Sequence, residues 1–400
     1  MLNQHPAAAI DASRISMNNQ HPPDWDPKSN EVLRDQRAAY DDLRRRCPVA
    51  HSEAWGWSLF RHADVIRTLH DHETFSNAVS QHLSVPNGMD PPEHTAYRRI
   101  IEPYFSPERM TAFEPVCRAI VVKLMEEVLA RGQVEFMADA ALPFAEQVQC
   151  AFLGWPSALH GRLANWTSKN HAATLAQDRQ ALSEIAREFE ELIDDLIETR
   201  MQAGTDPKTD LTAALMNEQV WGRHLSNEEV ASILRNWTVG EIGTISASVG
   251  ILAEYLAGHS ELQVQLRSQP GLIPPAIEEI LRLHGPLVMN RRVTTRPVEI
   301  GGKKIEAGEH ISLNWISANR DEAVFDEPDK FRLDRDPAKN LLYGTGIHYC
   351  PGAPLARLEM RVFLEELLAR THEITTVPEQ FSTIAVYPAS GFATLPLRIR

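Results

Sequence analysis

Leu225-Ser226-Asn227-Glu228-Glu229-Val230 opens the longest periodic segment of this chain. Ser226 can accept from the amide three residues on, Glu229 can reach back, and Leu225 with Val230 makes a hydrophobic staple, so a helix start is sharply marked. From there the apolar pattern runs to Gly258, a rod of roughly 48 Å at about 1.5 Å per residue. The rest of a 400-residue chain must pack around it. Gly240, Gly243 and Gly250 interrupt the rod, each costing on the order of 1 kcal/mol relative to alanine. Close packing of another helix explains such glycines and stays open for Gly250. For Gly240 and Gly243 the alternative is space kept for a ligand.

Apolar positions at three and four spacing predict further helices over Glu31–Arg46, Pro107–Arg131, Leu182–Met201, Pro274–Leu283 and Pro354–Arg370. Residues 298–305 read as a hairpin around Gly301-Gly302, and 394–399 as a terminal strand. The expected fold is mainly α with a small β portion. No repeat and no Gly- or Ser-rich linker divides the chain, so one domain is expected over 26–400, preceded by a polar, poorly ordered arm over 1–25. The charged segment from Gln177 to Leu225, which holds Gly204-Thr205-Asp206-Pro207, predicts a mobile helix-loop-helix lid.

A net charge of −14 argues against nucleic acid or an anionic membrane as partner. No segment is apolar enough to span a bilayer, and the amino terminus lacks the pattern of a signal peptide. Cys47, Cys117, Cys150 and Cys350 form no CxxC pair, which fits a reducing cytoplasm better than a disulfide framework.

Only Cys350 has a chemical context, in Tyr343-Gly344-Thr345-Gly346-Ile347-His348-Tyr349-Cys350-Pro351-Gly352. A thiolate that ligates iron needs N–H donors, the positive end of a helix and shielding from oxidants. This loop can offer all three, because Gly344, Gly346 and Gly352 permit positive φ and close approach to a flat cofactor, and a helical segment follows at once. An isolated buried cysteine is more often inert. The full pattern of aromatic, Gly, Gly, His, Cys and Gly turns the reading toward a haem-iron ligand.

That pattern resembles the haem-binding loop of the cytochrome P450 family, with Tyr343 where phenylalanine is usual, and the resemblance covers most of the chain after its first two dozen residues. It implies a single-domain P450 fold with haem b between the long central helix and the helix after the cysteine. Cys350 is then the iron ligand, Gly352 part of the cofactor loop, and His348 a donor to a haem propionate. Asp90-Pro91-Pro92-Glu93-His94-Thr95-Ala96-Tyr97-Arg98 resembles the family's propionate clamp, with His94 and Arg98 one turn apart. Arg292 matches the arginine ahead of the hairpin. Glu279-Ile280-Leu281-Arg282 resembles the family's buried Glu-x-x-Arg lock, for which Arg332 is the candidate third member.

On the central helix the family usually carries a small residue, Gly, any residue, an acid and Thr, the last two passing protons to iron-bound oxygen. Thr244 falls on the alcohol position, but Gly243 falls on the acid and Glu241 stands where glycine is usual. Glu241 and Thr244 share one helical face, so Glu241 or an ordered water is expected to replace the acid. The alternative is a structural pairing of Glu241 with an arginine. By the same resemblance Val85 in the 79–89 loop, Gly240, Leu287, Val288 and Phe392 face the substrate pocket, a largely apolar set that suggests a compact hydrophobic or aromatic substrate.

No nucleotide-binding glycine fingerprint or iron–sulfur cysteine spacing is present, so electrons are expected from a separate ferredoxin or flavodoxin-type donor with its NAD(P)H reductase. Arg98, Arg99, Arg109, Arg357 and Arg361 are the expected basic docking patch. A non-haem metal site at His62, His70, Asp71, His72 and Glu73 is the rival reading, although His-x-His in a polar loop is more often solvated. The implied function is insertion of one oxygen atom of O2 into a small organic substrate, by hydroxylation or oxidative dealkylation. A peroxide-driven peroxygenase and a non-catalytic haem protein are the alternatives.

Overall fold

The computed structural model describes residues 23–80, 82–387 and 389–400. The central helix spans Asn227–Ala257, and both halves of its capping box form: Ser226 Oγ accepts from the Glu229 amide at 3.2 Å, and Glu229 Oε2 accepts from the Ser226 amide at 2.8 Å. It packs against the helices Leu142–Leu153, Arg179–Ala203, Ile273–His284 and Ala353–Arg370. Ile233, Leu234, Ile242, Val249 and Leu252 are fully buried in that bundle, each contributing on the order of 2 kcal/mol of apolar burial. A Cβ on Gly250 would lie 2.5 Å from Met137 Sδ, so helix packing accounts for this glycine.

The helix Pro107–Arg131 has the predicted bounds, capped by Ser106 at the start and stopped by Gly132 at φ +70°. The predicted Glu31–Arg46 helix divides at Asp35, whose carboxylate caps a new start by accepting from the Ala38 amide at 3.0 Å. In the predicted lid, Arg179–Ala203 and Leu211–Asn217 are helical. At the base of the exposed loop between them, Arg200 pairs with Asp210 at 2.9 Å and donates to the Gly154 carbonyl at 2.6 Å. Residues 1–22 of the predicted arm lie outside the described residues. The boundary at 26 is nonetheless too late, since Trp25 packs edge-on against Trp55 and Phe60 with ring centroids 5.2 and 5.5 Å apart.

A five-stranded sheet flanks the bundle. Its strands are β1 (Val49–Ser52), β2 (Gly56–Leu59), β3 (Phe75–Ser76), β4 (Met289–Thr294) and β5 (His310–Asn314), in spatial order β1-β2-β5-β4-β3. Only β2–β5 is parallel. Arg291 lies opposite Ser312 and Arg292 opposite Ile311, which sends the two arginines to opposite faces of β4.

Candidate active site

The cysteine loop is built by two residues in left-handed backbone, Gly344 at φ +68° and Gly346 at φ +73°. A Cβ on Gly346 would lie 2.7 Å from the Leu69 carbonyl oxygen, so no other residue fits there. Gly352 differs from expectation. Its φ is −79°, and what it keeps clear is the sulfur, since a Cβ would sit 3.9 Å from Cys350 Sγ with any longer side chain beyond it. The Cys350 amide donates to the Tyr343 carbonyl at 3.0 Å, which closes the loop ahead of the helix Ala353–Arg370. Burial pushes the Cys350 thiol up, and the amides of Gly352 and Ala353 at the helix start oppose that by favouring the anion.

Beside the loop, the rings of His94 and His348 stand 4.2 Å apart. Burial, with the charge of Arg98, drives His94 down to about 4, and burial with neighbouring cationic groups drives His348 to about 2. Both nitrogens of His94 and Nε2 of His348 are buried without a hydrogen-bond partner among the described residues. Arg292 is 5% exposed, with burial lowering it to about 10, and among the described residues its guanidinium donates only to the Arg291 carbonyl, at 2.7 Å. Arg98 donates to the Tyr349 carbonyl at 2.9 Å and pairs with Glu102 at 3.2 Å.

Glu279 and Arg282 meet bidentately at 2.7 and 2.9 Å, and both are buried. The third member is Arg335, whose Nε donates to Glu279 Oε1 at 2.8 Å. Arg332, the residue expected there, sends its guanidinium to Asp334 and Asp326, and only its backbone amide reaches Glu279, at 3.1 Å. Two residues separate the two arginines in an irregular segment, where no periodicity says which one turns inward.

A cavity of about 590 Å³ lies between the central helix and the cysteine loop, bordered by Gly240, Glu241, Thr244 and Ser248 on one side and by His348, Cys350 and Gly352 on the other. Cys350 is the only thiol on its wall among the described residues. Of the expected substrate contacts, Gly240 and Leu287 border it, and the 79–89 loop contributes Val79, Ser80, Ser84, Asn87 and Gly88. Three expected contacts do not. Val85 is fully buried with its amide donating to Ser232 Oγ at 2.9 Å, Val288 packs in the aromatic cluster of Trp25 and Phe60, and Phe392 pairs with Ile384 on a separate hairpin. The wall is also less apolar than expected, with Asn77, Gln149, Asn236, Asn290 and Arg291 on it.

Thr244 donates to the Gly240 carbonyl at 2.6 Å. Among the described residues Glu241 pairs with no arginine. Its carboxyl faces that of Glu359 on the helix after the cysteine, and Glu241 Oε1 and both oxygens of Glu359 are buried without a conventional partner. Burial raises both acids, and mutual repulsion adds to the effect on Glu359. Such a pair is stable only if a proton is shared, because two adjacent anions in an apolar shell repel. Glu359 went unnoticed in the sequence, although a carboxylate between Leu358 and Met360 on a buried helix face was a visible signal. On the other flank of the helix, a Cβ on Gly243 would touch the His171 ring at 3.4 to 3.5 Å, so an imidazole occupies the side where an acid is usual.

The expected basic patch is largely neutralised: Arg361 pairs with Glu114 and Glu365, Arg357 with Glu278, and Arg98 with Glu102. Among the described residues no group of three His, Cys, Asp or Glu side chains could hold a metal, which removes the rival site around His62 and His72. Nor is any helix among them long and apolar enough to cross a membrane.

A family model described as Cytochrome P450 matches residues 252–395. A cyclomarin C epoxidase of Salinispora arenicola is 33% identical over 361 residues, covering 85% of this chain and 90% of the relative. The chain belongs to the cytochrome P450 family. An erythromycin C-12 hydroxylase of Saccharopolyspora erythraea is 31% identical, covering 83% of this P450 and 86% of the relative. Among solved structures, a P450 of Bacillus megaterium in complex with corticosterone superposes with a TM-score of 0.81 at 27% identity, covering 92% of this chain and 99% of that one. The fold is therefore the P450 fold, and the protein is a haem-dependent monooxygenase that uses O2, an organic substrate and a redox partner.

The residues present fit a haem. Its two carboxylates require buried donors, and among the described residues this P450 holds imidazoles without hydrogen-bond partners on His94 and His348 beside Arg292, whose guanidinium makes no ion pair within 4 Å. Its iron requires a soft anionic ligand, and the single thiol of the cavity wall is aimed there from a helix start.

Proposed function

We propose that this P450 inserts one oxygen atom into a compact, mostly apolar substrate seated between Gly240, Thr244 and Leu287, with Cys350 as thiolate ligand and His94, Arg98, Arg292 and His348 holding the propionates. The observation that carries this reading is the single cavity of about 590 Å³ that both Cys350 and Thr244 border. Haem bound there supplies the iron at which O2 is reduced and activated. The chain supplies position and protons. The Gly240 carbonyl fixes the Thr244 hydroxyl, so its oxygen is directed toward the open side of the helix. Glu241, which borders the same cavity and shares a proton with Glu359, is the proton source in place of the missing acid. The buried lock of Glu279, Arg282 and Arg335 takes no part in the chemistry and holds the loop-bearing region in shape.

Electrons come from a ferredoxin or flavodoxin-type donor. The basic side chains near the cysteine loop are mostly paired, and Tyr349 is exposed there with its hydroxyl accepting from Arg357 at 3.0 Å. The test is turnover of a substrate found by spin-state screening, with NAD(P)H, ferredoxin and reductase compared with hydrogen peroxide alone. Product only with the electron-transfer chain supports the reading. Product only with peroxide makes this a peroxygenase, and a carbon monoxide spectrum typical of histidine ligation refutes Cys350 as ligand.

A further inference from the structure

Arg291 is the cation that the function above leaves unused. It leaves β4 on the face opposite Arg292, and both border the cavity. Arg292 has a destination in the propionates. Arg291 has none: its Nε is buried without a partner, its Nη2 approaches the Tyr387 hydroxyl at only 3.4 Å, and no carboxylate among the described residues lies at ion-pair distance from it. Tyr387, which also borders the cavity, is held by Trp55 with ring centroids 4.7 Å apart.

The surroundings are short of negative charge. His310, at the first position of β5, is lowered by burial and then by the charges of Arg291 and Arg179. The single carboxylate on the cavity wall, Glu241, is engaged with Glu359. A guanidinium cannot shed its proton, and it offers five donors in a planar fork that matches a carboxylate. Leaving such donors partly buried and unpaired is unfavourable unless something that enters the cavity satisfies them.

We propose that Arg291, assisted by the Tyr387 hydroxyl, anchors a carboxylate on the substrate, so that this P450 prefers compact apolar carboxylic acids to neutral molecules of the same shape. The proposal rests on the cavity being the substrate chamber of a haem enzyme. A planar carboxylate is favoured over other anions because two parallel bonds from one guanidinium edge fit its two oxygens.

The experiment is a spin-state titration of the purified holoenzyme with matched pairs, dodecanoate against methyl dodecanoate and 4-propylbenzoate against its methyl ester. Each acid is expected to bind roughly 10- to 100-fold more tightly than its ester, the range of one charge-assisted pairing. Arg291→Met should abolish that preference while the esters keep their affinity, and Arg291→Lys should keep part of it. Equal affinity of acid and ester in the wild-type protein overturns the proposal without recourse to any variant, as does a preference that survives Arg291→Met. If neither acid nor ester binds while the ferrous carbon monoxide spectrum is that of thiolate-ligated haem, the carboxylate anchor fails and the haem reading stands. A spectrum of another kind means the failure lies with the haem reading.

Discussion

Arg335 Nε donates to Glu279 Oε1 at 2.8 Å, and that contact completes a buried cluster in which Arg282 holds the other edge of the same carboxylate. Arg282 also donates to the carbonyls of Asn319 and Pro328, at 2.7 and 2.9 Å, so the cluster joins the helix Ile273–His284 to the irregular chain that precedes the cysteine loop. Arg335→Ala leaves Glu279 paired with Arg282 but removes the Arg335 bond to that carboxylate and its bonds to the carbonyls of Asp326, Glu327 and Lys330, a loss of about 2–3 kcal/mol. Arg335→Ala is therefore expected to lower the unfolding midpoint steeply and to reduce haem retention. Arg332→Ala should leave the midpoint close to wild type. Equal effects of the two substitutions in urea unfolding would show the lock to be assigned wrongly.

The Glu241–Glu359 pair makes a prediction about pH. Burial raises both folded-state values above those of the unfolded chain, so the native state keeps a proton that the unfolded state has already released. Stability from this source is present below the ordinary carboxyl range and is lost as pH rises from there through the raised value. Glu359→Gln removes one acid from the pair. Its unfolding free energy should fall less between pH 5 and pH 8 than that of the wild type, by at least about 1 kcal/mol. Parallel pH profiles for the two proteins would mean that no proton is held there.

Glu241→Gln keeps the shape of the side chain and removes the proton donor. Product formed per NAD(P)H consumed is expected to drop about tenfold or more, with the lost electrons appearing as peroxide. Substrate affinity by spin-state shift should stay within a factor of about two of wild type. Unchanged coupling would assign Glu241 a structural role.

Gly346→Ala forces a Cβ against the Leu69 carbonyl at 2.7 Å in a backbone at φ +73°. Strain of roughly 1–3 kcal/mol is expected in the cysteine loop, read as weaker haem retention and a lower melting temperature. Gly240→Ala meets nothing within 4 Å and should fold normally, with its effect confined to ligand binding. If Gly346→Ala matches wild type in both readouts, the loop does not need glycine at that position.

Gly243→Asp would set a carboxylate against His171, whose ring burial now holds below its ordinary range. An adjacent anion favours the imidazolium, so the His171 titration should move up. Histidine NMR on the variant checks this, and an unmoved resonance would mean the ring has swung away.

Much of this protein was determined locally and could be read before folding. The capping box at Ser226 and Glu229, the glycine pair at Gly344 and Gly346, and the i, i+3 spacing of Glu279 and Arg282 act within a few residues of chain, where short-range geometry leaves few options. Those features carried the mainly α fold, the cysteine loop and the family resemblance. What only the tertiary structure decided are meetings between distant segments. Arg335 rather than Arg332 reaches Glu279, Glu241 turns to a carboxylate 118 positions further on at Glu359, and Val85 and Val288 turn into the core while Asn236 and Arg291 border the cavity. The five-stranded sheet belongs to the same class, because strands as short as Phe75–Ser76 have no periodicity of their own and exist only through partners elsewhere in the chain. Local geometry names the residues that hold the cofactor loop. Which polar groups end up facing the substrate depends on packing that no stretch of sequence contains.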